Sequence, residues 1–129
     1  MKITIPVGAG ELIDKITILS IKSERISDEA KLVNIRHELG LLVEVRDNAL
    51  SAFPDVAKLQ ADLKSINEAL WEIEDDIRDK ERVREFDERF IELARSVYVT
   101  NDQRAEAKKE LNTYLGSAIV EEKSYQDYR

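Results

Sequence analysis

A chain of 129 residues with 27 acidic and 20 basic side chains, a net charge of −7 and no cysteine sets narrow limits. The length fits one domain, and a domain of that size buries about two thirds of its unfolded surface. The charge balance lacks the clustered positive field that a nucleic-acid binder needs, and with His37 as the single histidine, disulfides, thiolate zinc, a cysteine nucleophile and a multi-histidine metal centre within one chain are excluded.

A composition that is 43% hydrophobic and 36% charged is globular, and four glycines and two prolines favour helix. The N-terminal stretch has no apolar run of signal-peptide length. No uncharged apolar stretch approaches the roughly twenty residues of a membrane span. A cytoplasmic protein without a membrane partner is the expectation.

Met1 to Val7 alternates and is β-branched, which predicts a short extended segment or edge strand. Pro6, Gly8 and Gly10 end it, with Gly10 as a helix cap. The first helix is predicted over residues 11–26, with Leu12, Ile16 and Leu19 on one stripe. Asp14, Ile18, Ile21 and Arg25 form a second ridge, so this helix should be covered on two sides. Ser27 is the expected N-cap of the second helix, with Asp28 and Glu29 in its first turn.

In that helix Leu32, Ile35, Leu39, Leu42, Arg46, Ala49 and Phe53 keep strict three-four spacing. Arg46 therefore occupies a core register, either snorkelling to the bundle edge or serving a polar interior. Gly40 costs up to about 1 kcal/mol relative to alanine and suits a close helix approach. His37, between Arg36 and Glu38, reads as a surface residue.

Pro54 and Asp55 turn the chain into a third helix whose seam is Val56, Leu59, Leu63, Ile66, Leu70, Ile73 and Ile77. Gln60, Asn67, Glu74 and Glu81 recur every seven residues on one border of that seam and point partly inward. Nine of the eleven residues from Glu72 to Arg82 are charged. They read as a self-compensating solvated face, or as the setting for Glu74 as a buried ligand-binding or catalytic carboxylate.

Asp87 is placed to cap a fourth helix with Phe90, Ile91, Ala94, Val97 and Tyr98 as its apolar face. Thr100 and Gln103 have capping-box spacing, which predicts a break and restart there. An unbroken register instead puts Arg95, Tyr98, Asn101, Arg104 and Lys108 on or beside the inner face. Gly116 and Ser117 end the helix, leaving a short helix or a strapped, packed tail. The expected fold is all-α: an antiparallel bundle of four main helices with a short extended N-terminal segment and a packed C-terminal tail, one domain spanning residues 1–129.

Inward Arg46, Glu74, Arg95, Tyr98, Arg104 and Lys108 allow two interiors. In one, arginine and lysine hold a phosphorylated or carboxylated ligand, because guanidinium forks match such groups. Arg46, Arg95, Arg104 and Lys108 would supply charge, Tyr98 and Asn101 hydrogen bonds, with Glu74, Asp14 and Arg25 completing the site. In the other they form structural ion pairs within a helical interaction or scaffold protein, whose partner is another protein or a second copy. The acidic pairs Glu11 with Asp14, Glu72 with Asp75 and Glu121 with Glu122 have the residue types that hold magnesium or manganese in all-helical nucleotide pyrophosphohydrolases. Such pairs are common in helices, and neither a metal site nor a cofactor is assigned. P-loop and Rossmann fingerprints are absent.

The first-helix stretch LIDKITILSIKSERI resembles the first helix of the all-helical chorismate mutases, with an aspartate near its start and an arginine about three turns later. That family binds a dicarboxylate between helices with arginines and a lysine, but here Ser27 and Asp28 interrupt where its long first helix continues. GELIDKITIL, NEALWEIEDDIRD, FIELARSVYVTNDQRA and GSAIVEEKSY are similar, in this order, to segments of a family of short bacterial proteins of uncharacterised function. Members tend to be encoded near, or fused to, glycosyltransferase and surface-polysaccharide functions. This resemblance implies a helical domain and a link to sugar or nucleotide-sugar metabolism, and transfers no catalytic residue.

Overall fold

In the computed structural model all 129 residues are described, and the regular structure is four helices: α1 (Ala9–Arg25), α2 (Glu29–Leu50), α3 (Val56–Arg82) and α4 (Glu88–Tyr114). Met1 to Val7 has no regular structure and is exposed throughout, so the expected edge strand does not form. The first helix starts two residues earlier than predicted. Gly8 is its N-cap and Gly10 lies buried inside it. A Cβ on Gly10 would collide with the Lys108 carbonyl of α4, and this glycine lets the two helices close up.

α2 is capped by Asp28 in place of Ser27, because the Asp28 carboxylate accepts a hydrogen bond from the Lys31 amide at 3.2 Å. α1 ends at Arg25 and α2 begins at Glu29, so no long continuous first helix of the chorismate-mutase kind exists. Asp87 caps α4 by accepting from the Phe90 amide at 3.0 Å, as its position predicts. α4 does not break at Thr100: that side chain is buried, and the helix runs on to Tyr114.

Both later helices end in the same motif. Gly116, at φ 59°, donates to Thr113 while Ser117 donates to Asn112. Arg84, at φ 56°, donates to Glu81 while Glu85 donates to Lys80. These are paired C-terminal closures through a left-handed residue. The second uses an arginine where glycine would cost nothing, which is why no sequence signal marks it.

α1 packs against all three other helices, whereas α2 packs broadly on α1 alone. The core gathers Leu12, Ile13 and Ile16 of α1, Val56 and Leu63 of α3 and Leu111 of α4. It therefore sits where α1 starts, α3 starts and α4 ends. α3 and α4 have 27 residues each against 17 in α1, so their hairpin is about 15 Å longer at 1.5 Å per residue.

The α4 stripe that faces inward is Leu93, Val97, Thr100, Arg104, Ala107 and Leu111. Leu93 is buried, while Ile91 and Tyr98, predicted on the apolar face, are 54% and 43% exposed. Gly40 has open space around it and brings no helix close. The tail beyond Gly116 has no regular structure. It lies along α4, meeting Lys108 through Glu121 and Asp102 through Tyr128.

Candidate functional site

The polar centre is Asp14, whose side chain is 2% exposed. It opens the α1 ridge that continues through Ile18, Ile21 and Arg25, and the helix with three neighbours leaves it no route to water. Arg104 donates from Nε to Asp14 Oδ1 at 3.0 Å and from Nη2 to Oδ2, a side-on fork between α4 and α1. Asn67 of α3 donates through Nδ2 to Asp14 Oδ1 at 2.9 Å and to Thr17 Oγ1 at 2.8 Å. The Thr17 hydroxyl in turn donates to the Asp14 carbonyl at 2.7 Å. Three helices thus meet on one carboxylate, and no buried side-chain polar atom lacks a partner.

One turn further along α4, Lys108 Nζ bonds Glu11 at 2.8 Å and Glu121 at 2.7 Å, and stands 4.0 Å from Asp14. Burial alone would lower the Lys108 pKa, but the two carboxylates hold it above the usual lysine value. The Asp14 hydrogen bonds likewise raise Arg104. Glu121, between Lys108 and Lys123, is pulled down to about 2. Arg104, Lys108 and Glu121 are therefore charged at neutral pH.

Two recesses flank the Asp14–Arg104 fork, and the Arg104 and Asn101 side chains line both. The larger, about 1080 Å³, is a groove between α4 and the tail. Tyr98, Asn101, Arg104 and Lys108 line its α4 side, and Lys123, Tyr125, Tyr128 and Arg129 its tail side. Tyr98 and Tyr128 meet edge to face at 5.0 Å, and Tyr128 donates to Asp102 at 2.6 Å. The smaller recess, about 460 Å³, is an interhelical cleft with Trp71, Glu74 and Arg78 on its α3 wall.

Of the nine residues that the sequence singles out, five converge: Asp14, Tyr98, Asn101, Arg104 and Lys108. Of the other four, Glu74 meets Asn101 and Arg104 only as a wall of the smaller recess, and Arg25, Arg46 and Arg95 stay apart. Arg95 is exposed and makes no ion pair, because the inward stripe of α4 runs through Leu93 and Val97. Glu74 is no buried carboxylate: its side chain is 42% exposed and pairs with Arg78 one turn on. Arg46 reaches the bundle edge, where it bonds Asp47 and Gln60. Arg25 bonds Glu72 and lies near Glu68 on α3, with its guanidinium 6.0 Å from the Trp71 ring.

Thr17, Asn67, Glu11 and Glu121 belong to the cluster and were not predicted as site residues. Asn67 had a signal, since it sits on the inward border of the α3 seam. Thr17, one turn after Asp14, had none. No three acidic or histidine side chains converge in a metal-holding arrangement, and no helix is long and apolar enough to cross a membrane.

A family model described as a family of unknown function, DUF6165, matches residues 1–128. The chain belongs to that family. No curated protein and no solved structure is similar to it. In this DUF6165 member the Arg104 guanidinium is only partly engaged. The fork on Asp14 consumes Nε and one Nη2 hydrogen of Arg104, and Nη1 makes no bond within the chain. That nitrogen belongs to a side chain that is 31% exposed at the groove wall.

Proposed function

We propose that this protein binds a small anionic ligand, phosphorylated or sugar-nucleotide-like, in the groove between α4 and the tail. The observation that carries the reading is the groove's lining. In a chain of net charge −7 it presents Arg104, Lys108, Lys123 and Arg129 against Asp102 and Asp127, together with Tyr98, Tyr125 and Tyr128. Arginine and lysine hydrogens suit phosphate or carboxylate oxygens, and tyrosine faces suit a sugar or base ring. The ligand's anion would meet Arg104 Nη1 and share Lys108 with Glu121. The link to sugar metabolism that the family resemblance implies fits this ligand class.

Calorimetric titration with inorganic pyrophosphate and with a nucleotide sugar tests the reading. Binding that weakens at least tenfold in both Lys123→Ala and Tyr125→Ala, and is unaffected in Arg95→Ala, supports it. No heat of binding from either compound at millimolar concentration rejects it.

The second reading is a helical interaction protein. Its support is that 18 large hydrophobic side chains are exposed, against 10 buried hydrophobic ones.

A further inference from the structure

α2 is the least buried helix, with 1 buried residue of 22 against 8 of 17 in α1. Its inner side, including Leu39, Leu42, Val43 and Leu50, packs on the core. The opposite side carries Asn34, Glu38, Leu41, Val45 and Asn48 at strict four-three-four-three spacing, every one exposed. Leu41 and Val45 stand 36% and 50% open at the centre of that stripe. A helix with apolar residues on two faces is ordinarily covered on two faces, and α2 has one broad neighbour.

Surface area points the same way. The chain exposes 8989 Å², whereas a compact monomer of its 14.8 kDa exposes about 7,000 Å². The extended ends account for part of the excess of about 2,000 Å². A stable dimer covers about 800 Å² per partner, less than half of that excess.

We propose that the outer face of α2 docks on the same face of a second copy, antiparallel, about a twofold axis level with Val43. In that register Leu41 lies opposite the partner's Val45, and Val45 opposite the partner's Leu41. Glu38 lies opposite the partner's Asn48, whose amide donates to the carboxylate. The four positions Glu38, Leu41, Val45 and Asn48, spaced three-four-three, are symmetric about Val43, as an isologous contact requires, and Asn34 falls outside that pairing. It holds one charged side chain among five, so two copies of net charge −7 meet there with little local repulsion.

Sedimentation equilibrium of the full chain, from micromolar to submillimolar concentration, tests this. Wild type is expected at twice the 14.8 kDa of one chain. Leu41→Glu and Val45→Glu are expected at the single-chain mass with helical circular dichroism unchanged. Val33→Glu, at a side chain 63% exposed on another flank of α2, should stay dimeric. A single-chain mass for wild type throughout overturns the proposal, and so does a dimer indifferent to both glutamates, which would belong to another surface or partner. Because the chain has no cysteine, an equimolar mixture of Leu41→Cys and Val45→Cys chains reports the register. The mixed disulfide should exceed its statistical share, and a statistical or smaller share overturns the antiparallel arrangement.

Discussion

Arg104 grips Asp14 side-on, with Nε at 3.0 Å from one carboxylate oxygen and Nη2 on the other, so that the last helix is fastened to the first across 90 residues of chain. The same guanidinium forms the wall between the two recesses. One side chain is thereby a strut and a candidate ligand contact, and the two roles respond differently to substitution.

Arg104→Ala leaves the Asp14 carboxylate buried without its counter-charge. Breaking a buried pair from one side costs about 3–5 kcal/mol, and the low end applies because Arg104 is 31% exposed. Urea unfolding should show a loss on the order of 3 kcal/mol. Arg95→Ala, at an exposed residue without an ion pair, should stay within about 0.5 kcal/mol of wild type. Equal effects of the two substitutions would contradict the strut.

Asn67→Leu removes the donor shared by Asp14 and Thr17 while keeping the volume. Leaving buried acceptors short of a partner costs about 1–3 kcal/mol. The double variant with Thr17→Val should lose less than the sum of the two single losses, since the second removes one of the orphaned groups. Strict additivity would mean that the network is not coupled.

Glu121 ties the tail to α4. Its pKa in the fold is about 2, first through Lys108 and then through Lys123, against an ordinary 4.5. A carboxylate lowered by folding contributes stability above its ordinary pKa, and that contribution disappears as pH falls from about 4.5 toward 2. Protease cleavage within the tail should accelerate over that window. In Glu121→Gln it should already be fast at neutral pH, and high salt should mimic part of the effect because Glu121 and its second partner Lys123 are exposed. A cleavage rate flat in pH in wild type would sink this contact.

Two glycines of α1 and α2 predict opposite signs. Gly10→Ala pushes a methyl against the Lys108 carbonyl, so the melting midpoint should fall by an amount corresponding to about 1–3 kcal/mol. Gly40→Ala meets nothing within 4 Å and should add up to about 1 kcal/mol through helix propensity. Similar shifts in the same direction would show that α1 and α4 are not in close approach at Gly10.

Much of the fold was legible because its signals are local. The seam of α3, the Asp87 cap and the Gly116 terminus each rest on residues within a few positions of one another. Legibility failed where a local signal lacked a tertiary check. Thr100 and Gln103 have the spacing of a capping box, yet α4 passes through them unbroken with Thr100 buried. Arg84 takes a left-handed conformation that nothing in its side chain announces. Within the site, the register of α4 brought out Tyr98, Asn101, Arg104 and Lys108 together, and it erred at Arg95 because Leu93 sets the inward line.

By itself the sequence determined the helices, their approximate ends and the existence of polar residues on inner faces, since helical periodicity and capping are properties of neighbouring residues. Which carboxylate became the buried one, only the tertiary structure decided. Asp14 and Glu74 occupy equivalent-looking positions beside apolar ridges. α1 is flanked by three helices, so Asp14 is sealed from water and must be paired. The α3–α4 hairpin is longer than α1, and Glu74 on it stays open to solvent beside Arg78. Burial depends on how many neighbours a helix acquires, and no single stretch of chain encodes that number.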